Sequence, residues 1–181
     1  MRWGRLIAVV GPSGAGKDTV MAALAQARPD IYRVQRVITR PSDPEGEPFE
    51  SVSEAEFAAR LKEGAFALHW QAHGLRYGIP SSLHARLAEG RDAMVNLSRS
   101  VLPVAAVAFG GLHVFNITAS DDIRAMRLAR RGRETPDDIA ARIARVAPPL
   151  SASLSVTHID NSGSLEQSVA ACLAALDPEQ V

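Results

Sequence analysis

Five apolar residues, Leu6-Ile7-Ala8-Val9-Val10, lead into Gly11-Pro12-Ser13-Gly14-Ala15-Gly16, and Lys17 opens a stretch with helical character to about Ala27. A buried strand must here pass to a helix through a glycine-rich turn, which few folds accommodate. The spacing G-x-x-x-x-G-K at Gly11, Gly16 and Lys17 is that of a phosphate-cradling loop, and strand, loop and helix stand in the order it requires. Glycines at 11, 14 and 16 let backbone N–H groups approach an anion. The helix N-terminus adds partial positive charge, and Lys17 can reach the terminal phosphates of a nucleotide. The alternative, an ordinary βα turn with a surface lysine, leaves that order unexplained. Of the 20 basic residues only Lys17 and Lys62 are lysines. A chain this biased toward arginine still keeps a slim point charge at 17, where a planar fork would not fit.

The residue after such a lysine is normally Ser or Thr, whose hydroxyl binds Mg²⁺. Here it is Asp18, followed by Thr19. A carboxylate can also hold Mg²⁺, directly or through water, but it adds negative charge beside the phosphates.

At 181 residues the chain suits one domain with a real core, and a 46% hydrophobic share is that of a globular protein. Zero net charge argues against a general nucleic-acid or anionic-membrane binder, so anion binding must be local. The single cysteine, Cys172, excludes disulfides within the chain and reads as a small buried hydrophobe. No signal peptide is visible, and the longest apolar stretch, Val101 to Leu112, is interrupted by Pro103 and two glycines. The expected location is cytoplasmic.

The segment from Arg33 to Ile38 alternates basic and apolar residues, as a half-exposed strand does. Ser53 with Glu56 forms a capping-box pattern for a helix from Glu54 to Glu63. Phe66 to Ala72 and the return through Arg76-Tyr77-Gly78 flank a His73-Gly74 turn, and a short helix follows from Ser81 to Glu89. Strands at Ala93 to Leu97, Leu112 to Ile117 and Val156 to Ile159 alternate with helices ending near Ala108, Arg131, Ala147 and Leu176. That rhythm implies a parallel sheet with helices on both faces. The region from about 33 to 90 breaks it and reads as an inserted lobe. His69 and His73, four apart, would suit a metal only on a helix; here they flank Trp70 in a strand and turn.

After the phosphate loop come Thr39-Arg40, Tyr77-Gly78, Arg131-Gly132, Arg142 within Ile139 to Ile143, and Asn161. This order resembles the guanylate-kinase-like branch of the P-loop nucleotide kinases, over nearly the whole chain. The resemblance implies an α/β P-loop NTPase fold of the nucleotide-kinase type: one domain over 1–181, with core 1–32 and 91–181, a substrate lobe at about 33–90 and an Arg-rich lid at about 130–137. It implies ATP bound by Gly11, Pro12, Ser13, Gly14, Ala15, Gly16, Lys17, Asp18, Thr19 and Asn161. Lys17, Arg131 and Arg142 would be catalytic, while Arg40, Tyr77 and Gly78 would hold the acceptor phosphate. Asn96, at the end of its strand, stands where many P-loop enzymes carry a magnesium-associated acid, and Asp18 is expected to supply the carboxylate Asn96 lacks. Arg99, just beyond, is a candidate for a second substrate phosphate or else a solvated helix-start arginine. The arginines from 124 to 145 fit a lid or a solvated helical face.

In guanylate kinases a Glu before the Tyr-Gly pair and a Thr after it help read the guanine ring. Those positions here hold Leu68 and Ile79, which cannot hydrogen-bond a base edge. The second arginine of the family's T-R-x-P-R motif is absent, with Ser42 and Asp43 in that region, and Phe49 stands near the place of a second phosphate-binding tyrosine. Within the family the chain looks like the kinases that convert ribose 1,5-bisphosphate to 5-phosphoribosyl 1-diphosphate in phosphonate breakdown. The stretches that carry this are Gly-Pro-Ser-Gly-Ala-Gly-Lys-Asp, Arg-Val-Ile-Thr-Arg-Pro, Phe-Ala-Leu-His-Trp-Gln-Ala-His-Gly-Leu-Arg-Tyr-Gly-Ile-Pro and Asn-Leu-Ser-Arg-Ser-Val-Leu-Pro. The expected partners are ATP, Mg²⁺ and a small sugar phosphate, with no nucleic acid or membrane and the oligomeric state left open. Two other readings stand beside it: a nucleoside-monophosphate kinase whose base stacks on Trp70 or His73, and a catalytically silent binding module.

Overall fold

The computed structural model describes residues 2–42 and 47–177; Asp43 therefore lies outside the described residues. Five parallel strands form the main sheet in the order β2 (Tyr32–Arg33), β7 (Ala93–Asn96), β1 (Leu6–Val10), β8 (Leu112–Thr118) and β9 (Ser155–Asp160). β1 is central and buried on both sides, which is why its sequence is apolar without alternation. Ile7 and Val9 pack beneath α1 (Lys17–Ala27) and α7 (Leu165–Leu176), with Met21, Leu24 and Cys172 between. Leu6, Ala8 and Val10 face α3 (Leu83–Ala88) and α4 (Leu102–Phe109) through Leu87, Leu102 and Ala105. The expected α/β sheet covered on both faces is the architecture observed.

A second sheet makes the lobe: β4 (Phe49–Ser51), β3 (Arg36–Ile38), β6 (Leu75–Pro80) and β5 (Phe66–Ala72), with α2 (Glu54–Lys62) packed through Phe57. The hairpin between β5 and β6 turns at His73 and Gly74, whose φ values of 52° and 74° are those of a left-handed two-residue turn. Helices α5 (Asp121–Arg131) and α6 (Pro136–Ala144) follow β8. Among the described residues no helix is long and apolar enough to cross a membrane.

Three sequence expectations need correction. The strand read over Arg33 to Ile38 is two strands. Tyr32 and Arg33 pair with β7, whereas Arg36 to Ile38 pair with β4 and β6. Val34, buried and donating its N–H to the Met94 carbonyl, anchors the crossing from one sheet to the other. At α2 the capping box is half made: Ser53 Oγ accepts from Glu56 N at 3.1 Å, but the Glu56 carboxylate turns to Arg60. α6 ends at Ala144 rather than Ala147, since Arg145 is already extended and Ala147 precedes a proline, which disfavours helix.

The edge remote from the phosphate loop is tied by Asp92, 5% exposed. Its Oδ1 accepts from Arg5 N at 2.7 Å and from Arg2, and its Oδ2 accepts from Arg5 Nε and Nη2 at 3.0 and 2.7 Å. Burial raises the carboxyl pKa, but these donors outweigh it and hold Asp92 below the ordinary carboxylate value. Replacing Asp92 by Ala leaves Arg5 without its partner and is expected to cost about 3 kcal/mol in denaturant unfolding. Because the folded pKa is depressed, the advantage of wild type over Asp92→Asn should persist from neutral pH to about 4 and shrink below it.

Candidate active site

Both neighbours of β1 run parallel to it, so the loops at the carboxyl ends of β1, β7 and β8 converge, where open α/β sheets bind ligands. Gly16 caps α1 in the left-handed region at φ 87°, and a Cβ there would stand 2.5 Å from Asn161 Nδ2. Asn161 is buried and donates to the Ala15 carbonyl at 2.8 Å, while its own Oδ1 accepts from Ser168.

Two arginines of α5 hold the same loop. Arg124 Nε donates to the Ser13 carbonyl at 3.0 Å; Arg127 donates to Ala15 at 3.2 Å, Gly14 at 3.4 Å and Asn161 at 2.7 Å. In a trans peptide the N–H points opposite to the carbonyl. Fixing the carbonyls of Ser13 and Ala15 from behind thus turns the N–H groups of Gly14 and Gly16 toward the cleft these glycines line. Lys17 Nζ donates to the Gly11 and Pro12 carbonyls at 2.8 and 3.3 Å. Burial pulls its pKa below the ordinary lysine value, with Asp18 opposing.

The cleft itself has a volume of about 680 Å³ and lies between this loop, the lobe and the segment from the end of α5 into α6. It brings together Ser13, Gly14, Gly16, Lys17, Asp18, Thr19, Arg40, Asn96, Arg131 and Arg142 from the sequence reading. It adds Arg33, Arg36, Glu47 and Arg133. Six arginines and Lys17 thus face two carboxylates, so a chain of zero net charge concentrates positive potential where a polyanion would sit. Arg142 pairs with Glu134 at 3.1 Å. Arg40 lies over the Phe49 ring with Cζ 4.4 Å from its centroid, and its backbone carbonyl accepts from Ser51.

Glu47 is buried against Arg36 at 2.5 Å and Asn96 at 2.9 Å, and Asn96 reaches on to Asp18 at 3.4 Å. Burial raises the Glu47 carboxyl pKa, Arg36 lowers it, Asp18 raises it further, and the net is upward. Among the described residues no group of three or more His, Cys, Asp or Glu side chains could hold a metal. The hard oxygen donor at Asp18 still fits Mg²⁺, which commonly takes one or two carboxylates together with substrate phosphates.

Other sequence candidates lie outside this cleft. Tyr77 is in β6, stacked on Trp70 at 5.1 Å and 7°, with Arg36 Cζ 5.5 Å from its ring centroid. Gly78 is a packing position: a Cβ would meet the Phe66 ring at 2.6 Å. Arg99 lines an adjoining cavity of about 230 Å³, which shares Ser13 and Arg142 with the cleft, and donates to Asn116 at 2.9 Å and Pro148 at 3.0 Å. Asn161 borders a third cavity of about 290 Å³, with Gly16, Arg127 and Arg131. Leu68 and Ile79 are cross-strand partners, 5% and 1% exposed, within the core beside Val34, Leu83 and Leu97.

Sequence reasoning missed Arg33, Arg36, Glu47, Arg124 and Arg127 as individual site residues. Arg124 and Arg127 carried a signal, since both share the buried helical face of Leu128. Glu47, in an irregular loop, carried none. Replacing Arg127 by Ala removes three charge-assisted bonds; it should raise the KM for ATP about tenfold and lower stability by about 2 kcal/mol. Arg127→Lys should not restore either, because one ammonium cannot reproduce the planar fork.

The guanylate kinase family model matches residues 3–175. The chain is 45% identical to a ribose 1,5-bisphosphate phosphokinase of Ruegeria sp. over 98% of its own length and 94% of that protein. It is 47% identical to the one of Agrobacterium fabrum, over 89% of this chain and 90% of that protein. A crystal structure of guanylate kinase from Anaplasma phagocytophilum superposes with a TM-score of 0.70 at 19% identity, covering 100% of this chain and 88% of that one.

Proposed function

The chain belongs to the guanylate kinase family, and we propose that its reaction is ATP-dependent phosphorylation of ribose 1,5-bisphosphate to 5-phosphoribosyl 1-diphosphate. The observation that carries this is the contrast between two parts of the lobe. Where guanylate kinases read a base, Leu68 and Ile79 are closed into the core. Where an acceptor phosphate would lie, Arg36, Arg40 and Arg33 line the cleft, with the Nε atoms of Arg36 and Arg40 buried and without hydrogen-bond partners among the described residues. Donors waiting beside an apolar wall suit an acceptor rich in phosphate and lacking a base. The similarity to ribose 1,5-bisphosphate phosphokinases supports the same acceptor.

Phosphoryl transfer to a phosphate needs no strong general base, since the attacking oxygen is already anionic. The bond from the γ-phosphorus to the ADP bridging oxygen breaks, a bond to the C1 phosphate forms, and no proton moves. Positioning and charge neutralisation therefore carry the catalysis. Lys17 and the loop N–H groups hold the ATP phosphates, with Thr19 beside them and the adenine directed toward the cavity at Asn161. Arg131 and Arg142 close over the transferring group. Arg40 takes the acceptor phosphate, with Tyr77 behind Arg36. The 5-phosphate falls to Arg33, which lines the cleft, rather than to Arg99, whose guanidinium is bonded to Asn116 and Pro148. Mg²⁺ bound with the nucleotide would neutralise phosphate charge, and Asp18, with Asn96 beside it, would hold it directly or through water.

The reading is tested by ADP release from Mg-ATP with ribose 1,5-bisphosphate and GMP offered separately. Turnover with the sugar bisphosphate is expected at least about 100-fold above GMP; preferential turnover of GMP would mean that other residues read guanine. Asp18→Ser should raise the magnesium concentration needed for half-maximal rate, and an unchanged requirement would remove Asp18 from the metal.

A further inference from the structure

Glu47 is a buried carboxylate, 5% exposed, in a cleft where six arginines and Lys17 outnumber it and Asp18. Both of its hydrogen bonds fall on one oxygen: Oε2 accepts from Arg36 at 2.5 Å and from Asn96 at 2.9 Å. Oε1 is buried and has no hydrogen-bond partner among the described residues. A carboxylate kept only to balance Arg36 would meet the guanidinium with both oxygens, fork to fork. Leaving a buried acceptor unpaired is unfavourable unless a ligand supplies the donor.

The character of that donor follows from its surroundings. A phosphate oxygen would be repelled by the carboxylate, and a base edge is excluded by the closed Leu68–Ile79 pair. A hydroxyl fits, as acidic side chains elsewhere accept from ribose hydroxyls. Its place on the sugar follows from Asn96, which bonds Glu47 on one side and Asp18, the neighbour of Lys17, on the other. Glu47 therefore stands at the phosphoryl-transfer end of the cleft, where the nearest hydroxyl of a C1-phosphorylated ribose is that on C2.

We propose that Glu47 Oε1 accepts a hydrogen bond from the C2 hydroxyl of the acceptor, with Arg36 and Asn96 fixing the carboxylate, so that Glu47 separates ribose from 2-deoxyribose bisphosphates. This rests on the proposed reaction. The experiment compares kcat/KM for ribose 1,5-bisphosphate and its 2-deoxy analogue in wild type, Glu47→Ala and Glu47→Gln, each across a magnesium titration.

Wild type should prefer the ribose form by about 100-fold. Glu47→Ala should reduce that preference to within about fivefold, mainly by losing rate on the ribose form, with the magnesium requirement unchanged. If Glu47→Ala does not fold, the near-isosteric Glu47→Gln carries the test and should lower the preference about tenfold. An unchanged preference in the folded variants overturns the inference. So does equal loss on both acceptors with a raised magnesium requirement, which would make Glu47 a metal ligand. Wild type that uses both sugars equally overturns the inference alone, whereas wild type that uses neither refutes the reaction and the inference together.

Discussion

The site depends first on how the phosphate loop is held from behind. The carbonyls of Ser13, Gly14 and Ala15 accept hydrogen bonds from Arg124, Arg127 and Asn161, residues contributed by α5 and by the end of β9. An unsupported glycine-rich loop would sample many conformations, since glycine restricts the backbone least. Here the donors come from side chains that are themselves fixed: Arg124 is also paired with Asp121, and Asn161 with Ser168. The loop is thereby set for an anion before one arrives, which is how preorganised donors contribute most to stabilising transferred charge. The same helix that holds the loop also ends at Arg131, which lines the cleft.

The lobe imposes the second constraint. Its sheet packs an apolar face, with Leu68 and Ile79, against the main core and turns a polar edge, with Arg36 and Arg40, toward the phosphate loop. Both β3 and the loop before β4 serve that edge, while Trp70 on Tyr77 and Phe57 on Phe66 stiffen the hairpin and its helix. Leu68 and Ile79 fill that face with apolar side chains that are closed into the core. On the proposed reaction, specificity would rest on phosphates and hydroxyls, which a largely cationic wall with one buried carboxylate can distinguish by charge and by donor.

Strands and helices were legible wherever period and burial agree, as in β1, α1 and α7. The phosphate loop was legible because its chemistry fixes spacing. The split at Val34 went unread, although the consecutive polar pair Gln35-Arg36 interrupts the alternation where the chain passes from one sheet to the other. The arginines of that segment read as solvent-facing, yet Arg36 and Arg33 turn to the cleft, because tertiary placement rather than period decides what an exposed strand face meets. Glu47 was illegible for a different reason: it lies in an irregular loop, and a buried charge there is defined only by Arg36 and Asn96, distant in sequence.

On the proposed reaction, the lobe and phosphate loop together enclose an acceptor without a base. A crystal structure with ribose 1,5-bisphosphate and a non-hydrolysable ATP analogue tests it most directly. The sugar is expected in the cleft between β3 and Lys17, its C1 phosphate facing the γ-phosphate, with Leu68 and Ile79 still paired in the core. A sugar bound instead in the cavity at Arg99, or a Leu68–Ile79 pair parted to open a pocket, would contradict it.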